Sequence, residues 1–212
     1  MSTKKRLAVS KTYKLYLGGK FPRTESGRYY ELKGRKDTLL ANVSRASRKD
    51  FRNAVVAARK AWSGWAATTA CLRGQILYRV AEMLEGRAGQ FEEELRAQGA
   101  TPVAARKEVT ASVDLFVHYA GWSDKYQSLF SSVNPVATPH FNFSMPESTG
   151  VVAAVAPEGS GLLGLSSVVA PILVGGNTSV ILASHARPLC AITLAEVLNS
   201  SDVPGGTVNI LT

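Results

Sequence analysis

The sequence predicts an α/β fold: small N-terminal β-hairpins and a helical layer, followed by a partial parallel sheet. Three observations carry that prediction. Short runs rich in Val, Ala and Ile at 151–156, 179–182 and 207–211 have the length and composition of strands. They alternate with apolar segments of helical length at 162–174 and 188–198, and strand alternating with helix means βαβ units with parallel strands. Turn residues mark the junctions, among them Pro157, Gly159 and Gly161 after the first run and Gly175-Gly176-Asn177 before the second. The run at 151–156 reads as a strand buried on both faces. Parallel sheets of this kind take ligands beyond the carboxyl ends of their strands, so ligand chemistry is expected at the turns 157–161 and 183–187.

The elements follow in chain order. Residues 1–12 read as a disordered basic tail, MSTKKR being basic with no apolar segment of a secretory signal after it. YKLYL at 13–17, Gly18-Gly19, Ser26-Gly27 and Tyr29-Tyr30 read as small antiparallel strands and turns, with one more strand at 38–43. Ser47 begins a helix, with Asp50 in its first turn and Phe51, Val55, Ala58 and Trp62 expected on the buried face. Thr69 caps a second helix with Leu72, Ile76, Val80 and Met83 inward, and Phe91 and Leu95 continue the pattern in a third. Thr101-Pro102 starts a helix expected to run towards Phe130 with Val109, Val113, Phe116, Val117 and Ala120 inward. A loop at 131–139 and a short strand at 141–143 lead into the βαβ region.

Composition narrows the function classes. The 212 residues are 45% hydrophobic, enough for a sizeable core. The whole of the net charge of +9 comes from the first 59 residues, where Arg28, Lys33, Arg45, Arg48, Lys49, Arg52 and others face only Glu25, Glu31, Asp37 and Asp50. Such a face attracts polyanions or is simply solvated; no RNA motif or aromatic platform accompanies it, and no nucleic-acid partner is expected. The two cysteines, Cys71 and Cys190, have no metal or redox spacing, so no metal site is expected and a reducing cytoplasm is. The uncharged stretch 159–184 is interrupted by glycines and Pro171, and its apolar core at 162–174 is shorter than the ~20 residues a membrane span needs.

One motif points to a ligand. Gly159-Ser160-Gly161-Leu162-Leu163-Gly164 fits G-x-G-x-x-G between a strand and a helix. There the glycines either let a pyrophosphate reach the helix N-terminus or serve only a tight turn and close packing. No acid ends the second strand; His185 and Arg187 stand there instead, a pair that suits a 2′-phosphate. Neither His185 nor Cys190 has the neighbours of a nucleophile pair, so no catalytic residue is assigned.

YLGGKF with SGR after it, RASRKDFRNAVVAARKAWSGWA, GVVAAVAP, APILVGGNT and VPGGTVNILT fall in one order and spacing. Through them, residues 13–212 resemble the N-terminal, coenzyme-binding part of the aldehyde dehydrogenase superfamily, and in particular the degenerate second module of double-module members. The resemblance implies a Rossmann-like domain, here incomplete, and oxidation of aldehydes with NAD or NADP. Taken with the glycine motif and the end of the second strand, it puts the candidate coenzyme contacts at Ala156, Pro157, Gly159, Gly161, Gly164, Ser184, His185 and Arg187.

The departures from the family shape the expectation. Members continue from Ala-Pro into Trp-Asn, whose asparagine amide steadies the oxyanion; here Glu158 and Gly159 stand there, and such a donor is worth ~10²–10³ in rate. Members end the second strand in Lys-Pro-Ser with an acid after it, the lysine and acid holding the adenosine ribose; here the residues are Leu182, Ala183, Ser184 and His185. The family's catalytic cysteine and base follow the third strand and have no counterpart in these residues. The expectation is therefore a cytoplasmic pseudoenzyme, inactive alone, with NAD or NADP binding weak or absent, paired with itself or with a complete dehydrogenase. The alternatives are the NAD(P)-binding part of a longer aldehyde dehydrogenase and a basic polyanion-binding module.

Overall fold

The computed structural model describes residues 12–34 and 37–212. Residues 1–11 of the expected tail lie outside them. Among the described residues three small sheets and seven α-helices form in the order β1 (Thr12–Tyr13), β2 (Tyr29–Lys33), β3 (Leu39–Ser44), α1 (Arg48–Ala66), α2 (Ala70–Gly86), α3 (Ala88–Ala97), α4 (Pro102–Trp122), α5 (Tyr126–Phe130), β4 (Ser132–Val133), β5 (Phe143–Ser144), β6 (Val151–Val155), α6 (Leu163–Val174), β7 (Thr178–Leu182), α7 (Leu189–Ser200) and β8 (Val208–Leu211).

The βαβ reading holds. β6, β7 and β8 form a parallel sheet in that spatial order, with Val155 opposite Leu182 and Leu182 opposite Leu211. One face of the sheet packs into the main core with Leu165, Val169, Leu173, Cys190, Leu194 and Leu198 of α6 and α7. The other face meets α1 through Ala54, Ala58 and Val180. β7 is central and buried. β6 is not buried on both faces as its composition suggested: it is an edge strand, paired only with β7 among the described residues, and Val155 is 69% exposed.

The last strand is the reverse case. Left uncovered, β8 would be an open, association-prone edge. Instead the N-terminal segment covers it. Tyr16 N–H donates to Ile210 O at 3.0 Å, Ile210 N–H returns to Tyr16 O at 2.8 Å, and Ala46 N–H donates to Thr212 O at 2.8 Å. Gly18 N–H reaches Asn209 Oδ1 at 2.9 Å. The β-appendage thus closes one edge of the sheet. Within it β1 runs parallel to β3, not antiparallel as expected for a hairpin, while β2 and β3 pair antiparallel.

Helix starts were legible, buried faces less so. Ser47 and Asp50 form a reciprocal capping box on α1, and Thr69 and Thr101 cap α2 and α4. On α1 the buried residues are Asp50, Ala54, Ala58 and Trp65, whereas Phe51 and Trp62 are exposed. Alanines face the sheet because the helix backbone approaches it closely: Thr178 Oγ1 donates to Ala58 O at 3.1 Å. On α2, Leu72 is exposed and Gly74 buried, since α2 lies close to α4: a Cβ at Gly74 would meet Ser123 Oγ at 2.4 Å and Ala120 O at 3.0 Å. Val117 of α4 is likewise exposed. The helix stops at Trp122, where Ser123 Oγ turns back to Ala120 O at 2.8 Å, and α5 begins separately. Part of the expected loop 131–139 is β4, which pairs antiparallel with β5. Among the described residues no helix is long and apolar enough to cross a membrane.

Candidate functional site

The turns after β6 and β7 lie side by side at the carboxyl end of the sheet, and each is held by a carboxylate. Ala156, at the end of the first turn's strand, is buried and donates its N–H to Leu182 O at 2.8 Å. Glu158 follows Pro157 and reaches across to the second turn. Its Oε2 accepts from Ser184 Oγ at 2.6 Å and Ala186 N–H at 3.1 Å, and its Oε1 accepts from His185 N–H at 3.0 Å. Ser184 is buried and its Oγ also accepts the Arg187 N–H at 3.0 Å. Arg187 Nη1 donates back to Gly159 O at 2.9 Å, so the two turns are tied in both directions. The hydrogen bond from Ser184, then those from His185 and Ala186, hold the Glu158 carboxyl below its ordinary range.

The second carboxylate comes from α4. Glu108 Oε1 accepts from Ser160 Oγ at 2.6 Å, Leu162 N–H at 2.8 Å and Leu163 N–H at 3.1 Å. Ser160 Oγ in turn accepts from Gly164 N–H at 2.8 Å. The first amides of α6, the group that an anion at a helix N-terminus would use, are thus bound to Glu108. The glycines differ. A Cβ at Gly161 would stand 2.9 Å from Leu95 Cδ2, and one at Gly164 3.2 Å from Pro157 Cδ, so both serve close packing of turn, helix and core. Gly159 has open space around it.

His185 is exposed, its ring centroid 4.3 Å from that of Tyr30 in β2. Tyr30 Oη donates to His185 O at 3.2 Å. Burial, then the negative charge of Glu158, push the Tyr30 hydroxyl up to about 12. Beside these turns an apolar groove of about 360 Å³ runs over the end of the sheet, lined by Arg48, Phe51, Ala153, Val155, Leu182 and Leu211 among others.

All eight residues expected to touch a coenzyme therefore lie in or beside one pair of adjoining turns. The two acids that organise those turns were not among them. Glu158 stood in plain view after Pro157, but its partners are 26 to 28 residues on. Glu108 sits 52 residues before Ser160 on a helix whose stripe gives no sign of it. The thiols lie elsewhere. Cys190 is fully buried on α7, and burial pushes its thiol well above the ordinary range. Cys71 is exposed on α2. No group of three or more His, Cys, Asp or Glu among the described residues is arranged to hold a metal.

The residues fit part of a dinucleotide better than the whole. The groove offers apolar walls to a flat ring, and a carboxylate stands at the end of β7. The α6 amides are already bound.

Comparison with known proteins identifies the family and the fold. The family model described as "Aldehyde dehydrogenase family" matches residues 21–212. Cytosolic 10-formyltetrahydrofolate dehydrogenase of Mus musculus is 33% identical over 214 residues, covering 98% of this chain and 24% of that protein. The mitochondrial protein of that name from Homo sapiens is 31% identical, covering 97% of this chain and 23% of its own. Among solved structures, the NAD+ complex of aldehyde dehydrogenase from Bacillus cereus superposes with a TM-score of 0.89 at 25% identity, covering 95% of this chain and 41% of that one. The chain spans about a quarter of the length of these curated relatives.

Proposed function

Because this chain belongs to the aldehyde dehydrogenase family, we propose that it is a coenzyme-domain-like module that does not oxidise aldehydes by itself. The observation that carries this is the turn after β6. Where the family has Trp-Asn, the chain has Glu158, committed to three hydrogen bonds, and Gly159, which has no side chain to offer an oxyanion. The buried thiol of Cys190 supports the same reading. A nucleophilic cysteine needs an accessible thiolate, and Cys190 is buried with its thiol pushed up. Binding of NAD or NADP is weak or absent in this proposal, since Leu182 and His185 replace the ribose-holding pair and Glu108 and Glu158 already hold the turn donors.

The role proposed is scaffolding or pairing, with a second copy or with a complete dehydrogenase. Two surfaces support it. The β4–β5 hairpin exposes Val133, Phe141 and Phe143 beside Leu129 and Phe130, more apolar surface together than isolated exposed residues explain. The outer edge of β6 is the sheet's unpaired side among the described residues. A cytoplasmic setting is part of the proposal and fits the two unpaired thiols. The test is a turnover assay of the purified chain with NAD and with NADP over aliphatic and aromatic aldehydes. No turnover is expected. Turnover abolished by Cys190→Ser or Cys71→Ser would overturn the proposal.

The second reading, the NAD(P)-binding part of a longer oxidoreductase, draws on the likeness to the NAD+ complex and on the groove between Phe51 and Leu182. In that case, fusion to a segment supplying a cysteine and a base would restore turnover.

A further inference from the structure

The second strand of a dinucleotide-binding sheet commonly ends in an acid, which takes the ribose hydroxyls; where an arginine stands nearby instead, a 2′-phosphate is accommodated. In this sequence the end of β7 reads Leu-Ala-Ser-His-Ala-Arg, with no acid. In three dimensions an acid is there nonetheless. Glu158 crosses from the turn after β6 and seats its carboxylate on Ser184 Oγ and the amides of His185 and Ala186.

The seat is built for an oxyanion. It has one hydroxyl and two consecutive backbone donors, with His185 on its own turn. Arg187 holds Gly159 O at 2.9 Å, and Tyr30 lies against His185. Its three donors are all used by Glu158, while Glu158 itself is exposed to solvent. A phosphate arriving at this turn meets a fixed negative charge on the groups that would bind it, and two anions do not share such donors without a large penalty.

We propose that Glu158 sets the ligand class at the end of β7: its carboxylate fills an oxyanion seat made by Ser184, His185 and Ala186 and excludes a 2′-phosphorylated adenosine ribose. His185 and Arg187 alone suggest the opposite preference. The seat rests on geometry within this chain; its relevance to a coenzyme rests on the second reading, the NAD(P)-binding part of a longer oxidoreductase, and the experiment keeps the two apart.

The probe is inorganic phosphate, followed at the His185 and Ala186 amides by ¹H–¹⁵N NMR on the 212-residue chain. In the unsubstituted chain these amides are expected to stay put as phosphate is added. In Glu158→Ala they should shift saturably, and Ser184→Ala on that background should weaken phosphate binding by about tenfold, the ratio that corresponds to about 1.4 kcal/mol. A cooperative melt of each variant confirms that it is folded. Equal response of the unsubstituted chain and Glu158→Ala, or no response in folded Glu158→Ala, would overturn the proposal. A second titration with NADP and NAD tests the coenzyme reading alone: phosphate binding gained without any nucleotide binding leaves the seat standing and removes the coenzyme.

Discussion

Removing the Glu108 carboxylate perturbs one of the two acids that organise the site and touches no core side chain. Glu108→Ala takes away the acceptor of Ser160 Oγ and of the Leu162 and Leu163 amides at the start of α6. Glu108, Ser160 and Leu163 are half-buried and Leu162 is buried, so loss of a helix cap, about 0.5–2 kcal/mol, sets the low end of the cost. Losing a negative charge at the positive end of the helix dipole adds about 0.3–1 kcal/mol. A loss near 2 kcal/mol is expected, and in a chain of this size it lowers Tm by roughly 4–8 °C. Glu108→Gln keeps an acceptor but not the charge and should cost about half as much. Differential scanning calorimetry at neutral pH reads both variants. A Glu108→Ala melt within about 1 °C of the unsubstituted chain would refute the reasoning, because it would mean the three hydrogen bonds are replaced by water at no cost.

Other outcomes follow from the same structure. The Glu158 carboxyl is held below its ordinary value in the folded chain, so its contacts contribute stability above the unfolded carboxylate pKa of about 4.3 and lose it as pH falls through the folded value; the His185 and Ala186 amide shifts should titrate in that acid window and not near neutrality. Exposed Cys71 should react with a thiol reagent in the native state, whereas buried Cys190 should react only at the rate of unfolding; equal rates would show that α7 opens readily. Phe141→Ser with Phe143→Ser should lower self-association in a light-scattering concentration series if the exposed hairpin drives it, and an unchanged profile would move the pairing surface to the edge of β6.

The fold was legible where local chemistry decides it. Capping residues Ser47, Thr69 and Thr101 stand where helices start, and the strand–helix alternation from Val151 to Leu211 gave the parallel sheet. What the sequence hid is nonlocal. An apolar stripe on α1 pointed to Phe51 and Trp62, but the closeness of helix to sheet selects Ala54 and Ala58. The cover on β8 comes from Tyr16, some 190 residues earlier, and no pattern near β8 announces it. The site shows the same division. The turns were found from Pro157, the glycines and Ser184, while the two carboxylates that occupy their donors come from another turn and another helix.

The measurement that bears most directly on the account is a calorimetric titration of the purified chain with NAD. No saturable heat is expected at micromolar coenzyme, because the donors at both turns are held by Glu108 and Glu158 and the ribose-holding pair is replaced by Leu182 and His185. A micromolar dissociation constant, lost on Gly159→Val with the melt unchanged, would contradict it and show that the glycine-rich turn receives the coenzyme with those carboxylates displaced.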